Sequence, residues 1–297
     1  MPADITGIVA PVLTPFDDDG ELQPEHIADS VEFTLECGCH GVVASGTGVQ
    51  ETAALSPEER KTVITETIDA VDGDVPVLAG VSYPAQPVVT ELVEHAESEG
   101  ADALLAMPPW GVEPSSDAII RYYTDIDAVT DLPILMYNNP SVTVDMSKET
   151  MVRIAKEVDG VEYVKESSRD WAKLAYLFET VHHAGHADVL ATMDVLLPTL
   201  QVVDTGVIVP APISKPSMDV YEAFQDGELE RAIEIQRAFG DFPPAAADVG
   251  LTPVCKAGTE IAGVPVGSPR APYGSLSQEG RDAVEAWMDE VGVPRMD

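Results

Sequence analysis

Two side chains near the middle of the chain have the types and setting for carbonyl chemistry. Lys165 ends a strand-like run, Gly160-Val161-Glu162-Tyr163-Val164-Lys165-Glu166-Ser167-Ser168. The chain has only seven lysines against 52 Asp plus Glu, so a lysine kept at the tip of an apolar strand is not there for solubility. Its amine can act as a Schiff-base nucleophile. A second run ends in Tyr137-Asn138-Asn139-Pro140, and a phenol at the neighbouring strand tip would give that amine an acid and a base. An attacking amine must be neutral, which an apolar interior favours and a dense negative surface opposes. Two other readings stand beside this one. Lys165 can be a rim lysine paired with Glu166. Lys215, in Pro210-Ala211-Pro212-Ile213-Ser214-Lys215, can be the nucleophile, although it is expected in a better-solvated loop beyond its strand.

A third feature is Gly41-Val42-Val43-Ala44-Ser45-Gly46-Thr47-Gly48-Val49-Gln50-Glu51, where a strand runs into a glycine-rich turn. Such a turn lets backbone N–H groups approach an anion and form a carboxylate nest, and Thr47 adds a hydroxyl.

These residues need a scaffold that brings strand tips together. Strand-like runs are expected at 7–13, 41–44, 75–80, 103–107, 134–137, 161–165, 189–191 and 206–209. Several are apolar throughout, as strands buried on both faces are. Helical patterns alternate with them at 24–37, 85–99, 116–129, 147–158, 169–182 and 195–203. Another helix starts at Ser56-Pro57-Glu58-Glu59, with Ser as N-cap, Pro at the first position and Glu three residues after the cap. Eight strands with interleaved crossovers predict an α/β fold, a (β/α)₈ TIM barrel over residues 1–215. The runner-up, a doubly wound dinucleotide-binding sheet, needs a Gly-x-Gly-x-x-Gly loop after the first strand. Thr14-Pro15-Phe16-Asp17-Asp18-Asp19-Gly20 does not fit it. Residues 216–297 read as a C-terminal helical extension packed on the barrel, with helices at 218–225, 228–240, 250–262 and 278–291.

The 297 residues carry a formal charge of −36, with a pI near 4.1. Disorder is disfavoured because 45% of the residues are hydrophobic and apolar periodicity runs throughout. Self-repulsion of this size is screened in concentrated salt, where the Debye length is about 3 Å at 1 M. The charge therefore reads as that of a cytoplasmic protein of an extreme halophile. It disfavours nucleic acid and anionic membranes as partners, because no basic patch neutralises phosphates. Three cysteines, Cys37, Cys39 and Cys255, argue for reduced thiols. Cys37-Gly38-Cys39-His40 lacks a second ligand pair at zinc spacing, and His182, His183 and His186 read as solvated or dipole-compensating residues. No metal is expected. The N-terminus lacks a basic signal-peptide region, and no uncharged apolar window is long enough for a membrane span.

The pattern Gly7-Ile8-Val9-Ala10-Pro11-Val12-Leu13-Thr14-Pro15-Phe16, Gly46-Thr47-Gly48, Leu55-Ser56-Pro57-Glu58-Glu59-Arg60, Tyr137-Asn138-x-Pro140, Val164-Lys165-Glu166-Ser167-Ser168 and Pro265-Val266-Gly267-Ser268-Pro269-Arg270-Ala271-Pro272 resembles the dihydrodipicolinate synthase / N-acetylneuraminate lyase family of class I, pyruvate-handling aldolases. The resemblance covers nearly the whole chain. It implies that Lys165 forms the Schiff base, Tyr137 shuttles protons, and Gly46, Thr47 and Gly48 hold the substrate carboxylate. It also implies that the Ile208 carbonyl faces the site, that no cofactor is needed, and that the chain assembles as a homo-oligomer, commonly a tetramer.

Departures from the family pattern bear on the substrate. Gly48 replaces the second hydroxyl residue of the turn, and Val49-Gln50-Glu51 suggests a one-residue insertion before the glutamate. Trp110 stands where the synthases have a relay tyrosine. An indole N–H only donates, so the Thr–Tyr–Tyr relay is broken. Val142 stands where the synthases have an arginine for the second substrate's carboxylate, and valine forms no bidentate pair. No glycine-rich phosphate loop follows the seventh or eighth strand, so the substrate is expected to be non-phosphorylated. The expected function is a Schiff-base lyase acting on a small 2-oxo acid and an aldehyde, of 2-keto-3-deoxy sugar-acid aldolase type or a related dehydratase. The alternatives are dihydrodipicolinate synthase with a displaced arginine and a diverged 2-oxo-acid-binding protein with little turnover.

Overall fold

The strands are short and buried, and they occur where the apolar runs predict them: β1 (Gly7–Pro11), β2 (Gly41–Ala44), β3 (Val77–Gly80), β4 (Ala103–Ala106), β5 (Ile134–Asn138), β6 (Val161–Glu166), β7 (Asp188–Leu190) and β8 (Gly206–Ile208). The computed structural model describes residues 5–239, 242 and 249–296. Every strand pairs in parallel with its sequence neighbours, and β1 also pairs with β8. The ladder thins between β7 and β8 to one bridge, Ala191 with Val207. There the Ala191 N–H donates to the Gly206 carbonyl at 3.0 Å, and the Thr205 hydroxyl donates to the Val189 carbonyl at 2.6 Å. The sheet is therefore a nearly closed barrel, and the open doubly wound arrangement is excluded.

The crossover helices are α1 (Ile27–Glu36), α2 (Pro57–Val71), α3 (Gln86–Glu99), α4 (Ser116–Asp127), α5 (Lys148–Glu157), α6 (Trp171–Leu177), α7 (Leu196–Val203) and α8 (Ser214–Gln225). Ser56 caps α2 in a reciprocal capping box with Glu59, and Ser115, Ser147 and Asp170 cap α4, α5 and α6. The expected helix 169–182 is shorter as an α-helix and continues as a π-helical turn, Phe178–His182. Two expectations need correction. Lys215 is not in a loop: it lies in the first turn of α8 and pairs with Asp219 at 2.6 Å. The boundary after residue 215 consequently cuts through α8, which packs on α7 and β1 as the eighth helix of the ring.

Strand alternation sorts the core in two. Residues such as Ile8, Val42, Leu104, Met136 and Val164 face the helices. Val9, Val43, Leu78, Leu105, Leu135, Tyr137, Tyr163, Leu190 and Ile208 fill the barrel interior. Near the tips of β2 and β3, a Cβ at Gly80 would strike the Gly46 Cα and the Ser45 carbonyl oxygen. Glycine there lets the two strand ends approach.

The tail adds α9 (Leu229–Ala238), α10 (Leu251–Ile261) and α11 (Gln278–Val291). It is tied to the barrel by a buried charge cluster. Lys256 on α10 pairs with Glu51 at 3.0 Å, and both are fully buried. The Arg270 N–H donates to the other Glu51 oxygen at 2.6 Å, and the Arg270 guanidinium reaches Glu59. Lys256 and Arg270 both lie over the Phe16 ring, at 4.3 Å each. Burial pushes the Glu51 carboxyl up and the Lys256 amine down, each toward its neutral form, and their mutual attraction opposes both shifts. Removing one partner strands the other charge. Lys256→Met is expected to lose about 3–5 kcal/mol in urea unfolding, and Glu51→Gln/Lys256→Met to recover most of it. Equal losses in the single and double variants would contradict the pairing.

Candidate active site

Tyr137 and Lys165 reach the same row of the barrel interior because β6 carries one extra residue. Ile134 of β5 opposes Val161, the register then slips, and Leu135 opposes Tyr163 and Tyr137 opposes Lys165. Past that bulge, inward positions on β6 are Tyr163 and Lys165, and outward positions are Val164 and Glu166. Lys165 is 4% exposed and Tyr137 3%. The Lys165 Nζ lies 4.2 Å from the centre of the Tyr137 ring. The rim-lysine reading is overturned, since Glu166 faces the helix layer and Lys165 makes no ion pair among the described residues.

Glu166 instead anchors the two strand tips. It is 2% exposed and lies 3.3 Å from Lys173 Nζ. It accepts hydrogen bonds from the Asn138 amide at 3.0 and 3.2 Å and from the Ser168 N–H at 2.6 Å. The Lys173 amine also donates to Asp145 and to the Met146 carbonyl, each at 2.6 Å. The Asn138 oxygen accepts from the Met146 N–H at 2.9 Å. Burial alone would raise the Asp145 carboxyl, but hydrogen bonds from Lys173 and Asn138 hold it below the ordinary value of 3.8. The β2 and β3 tips have a comparable anchor in Arg60. Its buried guanidinium donates to the Ser45, Gly80 and Ser82 carbonyls and the Ser45 hydroxyl, and burial lowers it to about 10.

Beyond the strand tips opens a cavity of about 900 Å³. Lys165, Tyr137, Thr47, Gly48, Val142 and Ile208 all line it. Two of the expected site residues do not. Gly46 is packed below the turn, and a Cβ there would meet the Val43 side chain at 2.6 Å. Trp110 lines a neighbouring cavity of about 230 Å³ that shares Gly48, Ser141, Val142 and Tyr273 with the larger one, and its ring stands edge-on to Tyr83.

The turn also differs from the expected open nest. The Gly46 and Thr47 N–H groups donate to the Gln50 side-chain oxygen at 2.8 and 3.0 Å, and the Thr47 hydroxyl donates to the same atom at 3.2 Å. The Gln50 amide nitrogen donates to the Val12 and Val43 carbonyls at 2.8 and 2.7 Å. These bonds use both ends of one buried amide, a match that a carboxylate could not make. Glu51 follows in a left-handed conformation and turns away toward Lys256. The phenol oxygen of Tyr137 accepts from the Asn139 amide at 2.8 Å. The Thr47 hydroxyl is directed to Gln50 and away from this phenol.

Several cavity residues escaped the sequence reading. Ser167 and Ser168 follow Lys165, Thr192 follows β7, and Arg169 sits at positive φ with its guanidinium 2.8 Å from Asp194. Gln50 had a signal, the Thr47-x-x-Gln50 capping-box spacing. Thr252 and Tyr273 had none, because the tail brings them to the cavity from far along the chain. Among the described residues, no group of three or more His, Cys, Asp or Glu is placed to hold a metal ion. No described helix is long and apolar enough to cross a membrane.

Comparison with known proteins gives one consistent result. The profile of the Dihydrodipicolinate synthetase family matches residues 4–291. A DapA-like lyase of Halobacterium salinarum is 33% identical over 296 residues, which cover 98% of this chain and 96% of that protein. The 4-hydroxy-tetrahydrodipicolinate synthase of Methanopyrus kandleri is 32% identical over 295 residues, 97% of each chain. The crystal structure of YagE, a prophage protein of the dihydrodipicolinic acid synthase family from E. coli K12 in complex with pyruvate, superposes with a TM-score of 0.90. Its identity is 26%, and the match covers 97% of this chain and 99% of that one.

The Glu166 anchor gives a direct test. Lys173→Met leaves a buried carboxylate unpaired, so unfolding free energy should fall by about 3–5 kcal/mol. The stability that Asp145 contributes through its depressed value is present above pH 3.8 and fades as the pH falls through the lower folded value. Lys173→Met should therefore also flatten the acid limb of a melting-temperature profile. A variant with wild-type stability and an unchanged acid limb would refute the anchor.

Proposed function

The chain belongs to the Dihydrodipicolinate synthetase family, class I lyases that act through pyruvate chemistry, and from that premise we propose that it cleaves a 2-keto-3-deoxy sugar acid to pyruvate and an aldehyde, or dehydrates a related 2-oxo acid. The observation that carries the substrate class is the cavity lining. Thr47, Ser141, Ser167, Ser168, Thr192, Thr252 and Tyr273 bring seven hydroxyl groups to one space, with Val142 apolar among them. Hydroxyls that both donate and accept suit a polyhydroxylated chain. In this reading the protein is cytoplasmic, homo-oligomeric and adapted to concentrated salt.

The Lys165 amine attacks the C2 carbonyl, and loss of water leaves an iminium. Loss of the proton from the C4 hydroxyl breaks the C3–C4 bond, whose electron pair moves into the iminium to give an enamine. The aldehyde leaves, C3 takes up a proton, and hydrolysis releases pyruvate. Tyr137 moves protons in these steps, each worth about 10²–10⁴-fold. Gly48 and Thr47 stand at the carboxylate end, the Ile208 carbonyl faces the reacting carbons, and Trp110 shapes the side of the pocket through Gly48 and Val142.

A second reading, condensation of pyruvate with aspartate semialdehyde, has one observation in its favour. Arg169 lines the cavity and is a cation for a second carboxylate. Its side chain is 66% exposed and already paired with Asp194, so it is a weaker receptor than a buried fork.

Borohydride reduction with pyruvate in multimolar salt should place a pyruvyl adduct on Lys165. Lys165→Ala should abolish turnover, and Tyr137→Phe should slow it by about 10²-fold or more. An adduct on Lys215 alone, or none, would sink the mechanism. A panel of 2-keto-3-deoxy sugar acids against aspartate semialdehyde decides the substrate, and pyruvate binding without any turnover would point to a binding protein. The −36 charge predicts a melting temperature that climbs as salt rises from dilute buffer to multimolar. A flat salt profile would contradict the adaptation.

A further inference from the structure

Trp110 leaves the proton-shuttling phenol without the tyrosine expected beside it, and the geometry points to Asn139 as its replacement partner: we propose that Asn139 is a positioning residue that holds the Tyr137 hydroxyl for proton delivery. The inference rests on the role given to Tyr137 in the proposed function. Asn139 occupies the variable position of Tyr137-Asn138-x-Pro140, is half-buried, and lines the cavity. Its amide donates to the phenol oxygen at 2.8 Å. The orientation of that amide is set from the other end, where its oxygen accepts the Ser141 N–H at 3.1 Å. With the oxygen committed to Ser141, only the NH₂ can face the phenol. The backbone carbonyl of Asn139 accepts the Val142 and Thr143 N–H groups at 3.0 Å each, so the loop carrying the amide is itself fixed.

The consequence is chemical. A phenol oxygen that accepts from Asn139 directs its own O–H elsewhere, and Lys165 stands over the ring on the cavity side. After the amine has added to the carbonyl, the carbinolamine must lose its hydroxyl. The C2–O bond breaks with its electron pair on oxygen, and the phenol proton completes a water molecule. The nitrogen lone pair closes C2=N. The products are an iminium, a phenolate and water, and the charges balance. Asn139 already donates to the oxygen on which the negative charge appears, so it stabilises that charge without rearrangement. The step runs backwards through the same transition state, so Asn139 should speed formation and hydrolysis of the imine equally and leave its equilibrium amount unchanged.

That symmetry separates a proton-positioning role from a structural one. Asn139→Asp keeps an oxygen for the Ser141 N–H and loses the donor to the phenol. Asn139→Ser is neutral, can still accept from Ser141, and is too short to reach the phenol. The measurement is a rapid-quench time course of borohydride-trapped adduct on Lys165, using pyruvate and the full chain in high salt. Both variants are expected to approach the plateau about tenfold or more slowly. The Asn139→Ser plateau and melting temperature should match wild type. Wild-type approach rates in both variants would overturn the inference, as would a lowered Asn139→Ser plateau reached at the wild-type rate, which marks a cavity-wall role. Absence of adduct in the wild type would instead remove the proposed function itself.

Discussion

The chemistry of this barrel depends on a register. A parallel strand presents alternate residues to the interior, so a slip of one position turns every side chain to the other face. The bulge opposite Ile134 is where β6 acquires the parity that sends Lys165 inward and Glu166 outward. Without that extra residue, the carboxylate would enter the barrel and the amine would join the helix layer. The Tyr137 row would then face the Val164 side chain in place of an amine. Closure of the sheet makes the parity matter, because inward residues from strands across the barrel share one small space.

Burying a cation is expensive unless carbonyls or carboxylates meet it, and this chain has few cations to spend. Of its seven lysines, Lys165, Lys173 and Lys256 are buried, and so is Arg60. Three of these four hold strand tips or the tail in place: Arg60 at β2 and β3, Lys173 at β5 and β6, and Lys256 between α10 and the turn after β2. The fourth has no such partner among the described residues and faces the cavity. In a chain with so few lysines, the three buried ones thus carry structural or chemical tasks. Scarcity of lysine marks Lys173 and Lys256 as well as Lys165, although only Lys165 sits at a strand tip.

The legible part of the molecule was what local pattern encodes. Apolar runs located all eight strands, and the capping box at Ser56 located the start of α2. Motif spacing brought six of the eight expected site residues to one cavity. What local pattern does not encode depends on three-dimensional facts. Gly46 was expected to hold a carboxylate because glycine-rich turns expose N–H groups, but Gln50 folds back and occupies its N–H. Trp110 is assigned to the site by its place in the family pattern, while the loop takes it into a side pocket. Lys215 is expected in a loop because it lies several residues beyond its strand, yet α8 begins before it.

The cavity draws its two ends from different parts of the fold, and the difference has a physical basis. The reacting end is built on strand tips whose backbone is hydrogen-bonded and whose side chains are wedged into a filled barrel. Any change there shifts neighbours on several strands. The far end is built from loops and from the tail, through Leu251, Thr252 and Tyr273. The tail is nonetheless not free to wander. Glu51 ends the short turn that includes Gly48, and its carboxylate is gripped by Lys256 and the Arg270 backbone, while Thr252 reaches the Gly48 carbonyl at 3.4 Å. The turn at one end of the cavity and the tail at the other are therefore joined through one buried ion pair. Under the proposed function, this coupling lets tail side chains alter the far end of the cavity, while the barrel fixes the geometry around Lys165 and Tyr137.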